Sequence, residues 1–432
     1  MFDGRLVFDT AIDTEGLEKG SKTLTGIAQT AIGNILANLG TQIINGLAEI
    51  PSKIAAVGTS FESSMSQVAA TMGITSAADE FGMLSAAAKE AGESTKFSAT
   101  QAGDALNYLA LAGYSAEKAV DALPVVLNTA AAGGMDLAYA SDLITDSMSA
   151  LGLGMDELST FSDRLAVTSQ KSNTNVAQLG EAILTVGGTA KTLSGGVVEM
   201  NTALGILADN GIKGAEGGTA LRNTILSLSA PTSNAAEMLE RLNVSAFDAE
   251  GKMRPLQDTF GDLNTALSSL SDQEKTAALN EIFNKVDLKS VNALLGTSSE
   301  RFEELSGYIE NCEGAASDMA ETMNDNLAGD ITIMNSALEG LGISVYEKFS
   351  EPMREAVQSI TETVGELTSR IKDGDLSDTF GRIAEGFAKL TSAATELLAN
   401  TVLPMLADIL GVIVDKADTL VPVIGSAVTA LI

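Results

Sequence analysis

The stretch Ser98-Ala-Thr-Gln-Ala-Gly-Asp-Ala-Leu-Asn-Tyr-Leu-Ala-Leu-Ala-Gly113-Tyr-Ser115 carries its own punctuation. Ser98 with Gln101 three residues on is a capping box. The hydroxyl accepts a free N–H of the first helical turn, and the amide reaches back to the cap. Gly113 supplies the left-handed residue that ends a helix. Ser115 then caps the next helix, and the apolar residue between can staple to it. The same stop recurs at Gly134-Met-Asp136 and Gly154-Met-Asp156, steps of 21 and 20 residues. Further capping boxes read at Ser271-Asp-Gln-Glu274 and Thr297-Ser-Ser-Glu300. From about 60 to 240 these signals predict short helices in pairs, with steps too short and imperfect for a solenoid.

Composition agrees with helix. The 432 residues contain only 7 Pro and 4% aromatics, yet are 45% apolar. Few prolines and many alanines favour helix, and the apolar content suffices for a core. The length predicts about three domain-sized units. There is no His, so a His-based triad, an imidazole metal ligand and an imidazole pH switch are excluded. One Cys allows no intrachain disulfide and no Cys-type zinc site, and Cys312 reads as a semi-buried thiol. A formal net charge of −31 argues against a sequence-independent grip on phosphate backbones. The start, Met1-Phe-Asp-Gly-Arg-Leu-Val-Phe-Asp, lacks the basic and apolar regions of a secretory signal, which predicts a cytoplasmic beginning.

Outward from the capped region the pattern changes. Residues 5–12 predict one short strand. Residues 23–48 carry no charge, and Leu24, Ile27, Ala31, Ile35, Leu39 and Ile43 fall at helical spacing. Gly26, Gly33 and Gly40 form one stripe. A helix of that length spans about 39 Å, enough to cross a bilayer. Nine of the 26 residues are Thr, Asn or Gln, however, so packing on another helix is the preferred expectation. Val244 to Pro255 predicts a small β-hairpin turned at Gly251. From Ala316 to Ile371 apolar residues recur every 3.67 residues or so, including Leu327, Ile331, Met334, Leu338 and Leu341. That period keeps a seam on a nearly straight helix, with breaks expected at Gly329 and Ser350-Glu-Pro352. Asp373-Gly-Asp375 is a firmer stop, and Phe380 to Leu397 predicts another helix. Residues 402–432 turn apolar but are interrupted by Asp408, Asp415, Lys416 and Asp418, short of a membrane span. The sequence stops inside that run, as the front part of something longer would.

The fold class expected is therefore all-α with one small β-hairpin. The domain organisation expected is 1–59, a short strand and an uncharged amphipathic helix; 60–312, a helical core with a hairpin near 244–255; 313–400, long helices; and 401–432, an apolar helical segment.

Motifs that carry chemistry fail on inspection. Gly187-Gly-Thr-Ala-Lys191-Thr192 lacks the glycines a phosphate loop needs at 185 and 190. Ser115-Ala-Glu-Lys118 matches Ser-x-x-Lys without its companion motifs, so a helix cap is the better reading. Asp248-Ala-Glu-Gly251 lacks calcium-loop spacing. No catalytic, cofactor-binding or metal-ligating residue is assigned, and no enzymatic activity is expected.

Several stretches nevertheless occur in a telling order: Phe61-Glu-Ser-Ser-Met-Ser-Gln-Val68, Gly92-Glu-Ser-Thr-Lys-Phe-Ser98, Ala105-Leu-Asn-Tyr-Leu-Ala-Leu-Ala-Gly113, Gly218-Thr-Ala-Leu-Arg222, Asp248-Ala-Glu-Gly-Lys-Met253 and Gly314-Ala-Ala-Ser-Asp-Met-Ala320. Together they resemble the shared core region of phage tail tape-measure proteins. The resemblance covers about 60–365 well and the flanks loosely. Ile282-Phe-Asn284 departs from the family's usual Ile-Phe-Gly. The resemblance implies a structural protein that sets tail length during assembly, lies in the tail-tube lumen of the virion and leaves during infection. It implies tail tube protein, tail assembly chaperones and tail tip proteins as partners, self-association through long helices, a possible host membrane on ejection, and no sequence-specific nucleic acid. No cofactor is implied. The competing reading is a membrane-active, pore-forming helical protein using 23–48 and 402–432. A peptidoglycan hydrolase is a weaker third.

Overall fold

In the computed structural model of the chain, residues 50–352, 354–355, 357–359, 361–362, 389 and 404 are described. The strand expected at 5–12, the helix at 23–48 and the segments at 380–397 and 402–432 lie outside these residues, apart from Lys389 and Pro404. Gly58–Ser344 forms one compact unit, and it is all-α.

Among the described residues the first ten α-helices are α1 (Ile50–Met72), α2 (Asp79–Ser94), α3 (Ala99–Leu111), α4 (Ala116–Gly133), α5 (Leu137–Leu151), α6 (Leu158–Lys171), α7 (Val176–Val186), α8 (Gly196–Asp209), α9 (Gly214–Ser229) and α10 (Ser233–Arg241). The caps decide where they begin and end. Ser98 and Gln101 form the expected box, as do Ser271 and Glu274. Gly113 and Gly134 are left-handed, at φ 85° and 60°, and Ser115 and Asp136 cap α4 and α5. Two stops are displaced from their expected places. The left-handed residue after α5 is Gly152, not Gly154, because Leu153 N–H returns to Met148 C=O and closes the helix two residues early. The last cap is Ser298, not Thr297, whose hydroxyl is spent on Ala293 C=O.

Packing reveals an order that the stops did not. From α2 to α7 each helix packs on the helix two places further on. α3, α5, α7 and α9 begin at residues 99, 137, 176 and 214, steps of 38, 39 and 38. Residues 79–229 thus form a two-layer array of helical hairpins. Five residues past each N-cap in the odd layer stands a small residue: Gly103, Ser141, Gly180 and Gly218. A Cβ on Gly103 would lie 2.6 Å from Ser64 Oγ of α1. One on Gly180 would meet the Leu143 side chain of α5, and one on Gly218 the Ala182 carbonyl of α7. The small residue is where one odd helix crosses the last, and it sets how near their axes come. Around these crossings Leu106, Leu109, Ile144, Leu179, Ile183, Leu221 and Ile225 are buried. Each contributes roughly 1.5–3 kcal/mol by leaving water.

Beyond α10 come α11 (Leu256–Leu267), α12 (Asp272–Ile282), α13 (Leu288–Leu295), α14 (Ser299–Glu310), α15 (Ala315–Asn324) and α16 (Leu327–Glu347). The hairpin expected near 244–255 is not built as strands. Phe247 and Met253 share one isolated antiparallel bridge around Gly251, at φ 78°. Asp248 folds its carboxylate onto the N–H groups of Glu250 and Lys252, and a side chain that takes backbone donors this way competes with a ladder. No strand occurs among the described residues.

The long helix expected from 314 is also broken, at Asp325-Asn326 rather than Gly329. Its first part, α15, does not extend but returns onto the even layer, packing on α4 and α6.

Candidate functional site

Each motif weighed for chemistry has a structural duty. Gly187–Thr192 is a short 3-10 helix continuing α7, packed against α5 and α9. Ser115 Oγ accepts Lys118 N–H as a helix cap. The Asp248 carboxylate is committed to its own turn. Cys312 is buried, with its Sγ 3.9 Å from Thr160 C=O; burial, then the nearby Asp163 carboxylate, pushes the thiol up from its ordinary value. Among the described residues no group of three or more Cys, Asp or Glu side chains is placed to hold a metal ion. Met65, Met148 and Met200 are buried in the core.

What the fold does bring together is a set of polar anchors that fasten the returning chain to the array. Asp163, on α6, is 5% exposed. Its carboxylate accepts Gly314 N–H at 3.0 Å and Ala316 N–H at 2.9 Å, capping α15 from across the core. A carboxylate at a helix N-terminus satisfies orphan donors and meets the positive end of the helix dipole. Beneath it the Thr129 and Ser162 hydroxyls share a buried hydrogen bond between α4 and α6.

A second anchor centres on Arg301 at the start of α14. Its guanidinium donates to Asp209 Oδ2 (2.9 Å), Glu304 Oε2 (2.9 Å) and Lys171 C=O (2.6 Å). The bond to Asp209 leads in holding Arg301 above its usual value. Asp209 also accepts Asn173 N–H, and Lys213 reaches Asn173 Oδ1. Three chain segments, at 171–173, 209–213 and 301–304, therefore meet around one cation.

The third anchor holds α16. Thr100 gives both its hydroxyl and its N–H to Glu339 Oε1, at 2.8 and 3.3 Å, and Ser336 Oγ donates to Lys96 C=O. A cleft of about 430 Å³ opens beside it, lined by Lys96, Asn128, Ser317, Glu321, Asn324 and Asp325 among others. Burial holds the Lys96 amine below its usual value.

None of these anchors was assigned from sequence. Asp163 lies in no local motif because its partners are far away in the chain, and of the partners of Arg301 only Glu304 is close in sequence. The arrangement ties distant segments of the chain together.

The comparisons with known proteins converge on one kind of molecule. The family described as "Phage-related minor tail protein" matches residues 85–284, most of the hairpin array. A "Tape measure protein" of Pneumococcus phage Dp-1 is 32% identical over 348 residues, covering 81% of this chain and 30% of that protein. A "Probable tape measure protein" of Escherichia phage P2 is 27% identical over 344 residues, 78% of this chain and 42% of that one. One of Clostridium phage phiCD119 is 21% identical over 425 residues, 97% of this chain and 44% of that one. The chain spans less than half the length of these curated relatives. No solved structure gives a significant match. An array of capped helices, polar anchors between distant segments and this run of relatives make the chain similar to the phage tape-measure proteins over the part of them that it spans.

Proposed function

We propose that the chain serves in a phage tail as a structural, non-catalytic tape measure, setting tail length during assembly and leaving during genome ejection. The observation that carries this reading is the 32% identity to a tape measure protein along four-fifths of the chain. Its site of action is the tail-tube lumen, after assembly in the host cytoplasm. Its partners are the tail tube protein, the assembly chaperones and the tail tip.

The structure refines which residues can measure. A ruler contributes length only where the chain runs extended, at about 1.5 Å per helical residue. The unit Gly58–Ser344 doubles back on itself at every hairpin, so it contributes a fixed thickness and not a length per residue. A 22-residue deletion at 316–337 preserves the apolar period but removes the buried Ala316 and Ala320 and the helix capped by Asp163. It is therefore a test of folding. The cleaner deletion is 376–397, also 22 residues, which read as helix in the sequence. Phage carrying it should have tails shorter by about 33 Å. Unchanged tails in electron micrographs would remove the ruler role from that segment and leave the chain an assembly or tip-docking role.

The membrane-active reading has less support. Among the described residues no helix is long and apolar enough to cross a membrane. A liposome-leakage assay on the whole chain separates the two, strong leakage favouring the pore-former.

A further inference from the structure

A carboxylate at the start of a helix normally accepts N–H groups of that helix's first turn. Asp287 ends a 3-10 turn (Lys285–Asp287) and directly precedes α13, yet it makes no such bond. It is 5% exposed, and its Oδ1 accepts instead from Asn223 Nδ2 of α9, at 2.9 Å. Its Oδ2 is buried and receives no hydrogen bond from any described residue. A carboxylate has about four acceptor sites, and burying one with a single donor is costly. Asp287 lines a cleft of about 390 Å³ between α9 and the start of α13, together with Ala215, Glu216, Asn223, Val286 and Lys289 among others. Val286 is 83% exposed, the most exposed large apolar side chain among the described residues. Lys289 is the one cation of the lining, and it is spent on Glu216 Oε1 at 3.0 Å in a pair whose side chains are both exposed. The unmet acceptor thus belongs to the wall of a cleft whose other carboxylate is held by a weak, replaceable ion pair.

We infer that this cleft is a binding site for an alkylammonium group, the chemistry shared by a free aliphatic amine and by a lysine side chain. The unmet acceptor calls for a donor, and the two carboxylates call for that donor to be charged, since charge-assisted bonds are about twice as strong as neutral ones. An ammonium brings three donors on one compact charge. A guanidinium fits less well. It asks for both oxygens of one carboxylate side by side, and Asp287 has already committed one of its pair to Asn223. A divalent ion surrounds itself with six or more oxygens, and among the described residues no group of three or more Cys, Asp or Glu side chains is placed to hold one. The aliphatic stem has Ala215 and Val286 to lie against while its head reaches the carboxylates, the arrangement amphipathic side chains favour. Lys289 is then a resident competitor: it occupies Glu216 until a better-placed ammonium takes that carboxylate over. The inference does not rest on the ruler reading, because a chain that binds no amine could still set tail length.

The test is titration of the full chain with butylammonium chloride at constant ionic strength, followed by the methyl NMR signals of Val286. These should shift saturably, and tetramethylammonium, which carries the same charge without an N–H, should leave them in place. Asp287→Asn, nearly the same shape without the charge, should weaken butylammonium binding by about tenfold or more with unchanged circular dichroism. Lys289→Met should tighten it, because Glu216 is then free of its competitor. A capped Ala-Lys-Ala peptide separates the two sources: binding tighter than butylammonium assigns the site to a lysine carried on a protein, and binding no tighter assigns it to a free amine. If Asp287→Asn perturbs folding, Lys289→Met and the tetramethylammonium comparison decide. No saturable shift, an equal shift with tetramethylammonium, displacement of butylammonium by an equal concentration of magnesium, or an affinity indifferent to both variants would each overturn the proposal.

Discussion

Replacing Asp163 with Ala leaves the N–H groups of Gly314 and Ala316 without an acceptor inside the core. A lost cap and a stranded buried donor together cost about 2–3 kcal/mol, read as a lower urea midpoint. Asp163→Asn keeps one acceptor oxygen and should cost less. Cys312 gives a second readout. Its thiol is buried and held protonated, so the native chain should react with a thiol reagent only as fast as the core opens, and fully once unfolded. A group raised on folding stabilises below its unfolded value and loses that contribution as pH climbs through its folded one. The Cys312 contribution is accordingly lost on the alkaline side, and Cys312→Ala should flatten that limb of a stability–pH curve. Glu274 works in the opposite sense: the Ser271 hydroxyl, then its N–H, holds the carboxyl below its ordinary value, so its contribution is lost on acidification. The Ser271–Glu274 box was legible in sequence because donor and acceptor sit three residues apart. Asp163 was not, because its partners lie 151 and 153 residues away and nothing in Phe161-Ser-Asp-Arg164 marks it as a cap.

Helices were legible where glycine and a hydroxyl or carboxylate shared a short window, and the boundaries that slipped did so by one or two residues. The 38-residue step was not legible, because its copies share only a cap and a small residue five places on; the spacing of 20 or so that was visible is the half-step between layers. Gly218 tests the crossing. Backbone at Ala182 and the Thr185 side chain stand where its Cβ would go, so Gly218→Val should cost about 3 kcal/mol by overpacking, measured by thermal or urea unfolding. Gly261 is the control. It lies on the exposed side of α11 with nothing within 4 Å of a Cβ, so Gly261→Ala should stabilise by about 0.5–1 kcal/mol. The apolar seam read from sequence at 327–341 is real, and its Leu327, Ile331, Met334, Leu338 and Leu341 are exposed; periodicity alone cannot say which way a stripe faces. The inward side of α16 needs only Gly, Ser and Ile because it packs close to Glu93 and Lys96.

At the scale of the molecule, the all-α class and the likeness to tape-measure proteins were legible, while the return of the chain was not: contacts of α15 with α4 and α6 join residues about 190 and 150 apart. An array whose helices touch only near neighbours can open from its ends, one hairpin at a time. Here α14 and α15 bind the middle of the array to a segment past residue 298. Cleavage at a protease site inserted between Ala249 and Glu250, in an exposed turn, should therefore leave the two fragments eluting together and parting only in denaturant. Separation without denaturant would show that the anchors at Asp163 and Arg301 contribute little. The long reach of Asp163 also has a meaning in time. During synthesis α4 and α6 exist well before Gly314 does, and at about 5–20 residues per second the ribosome needs roughly 8–30 s to make the residues between. For that interval the Asp163 carboxylate waits without the two N–H groups it later caps, a window in which a holdase or a neighbouring nascent chain can reach it first.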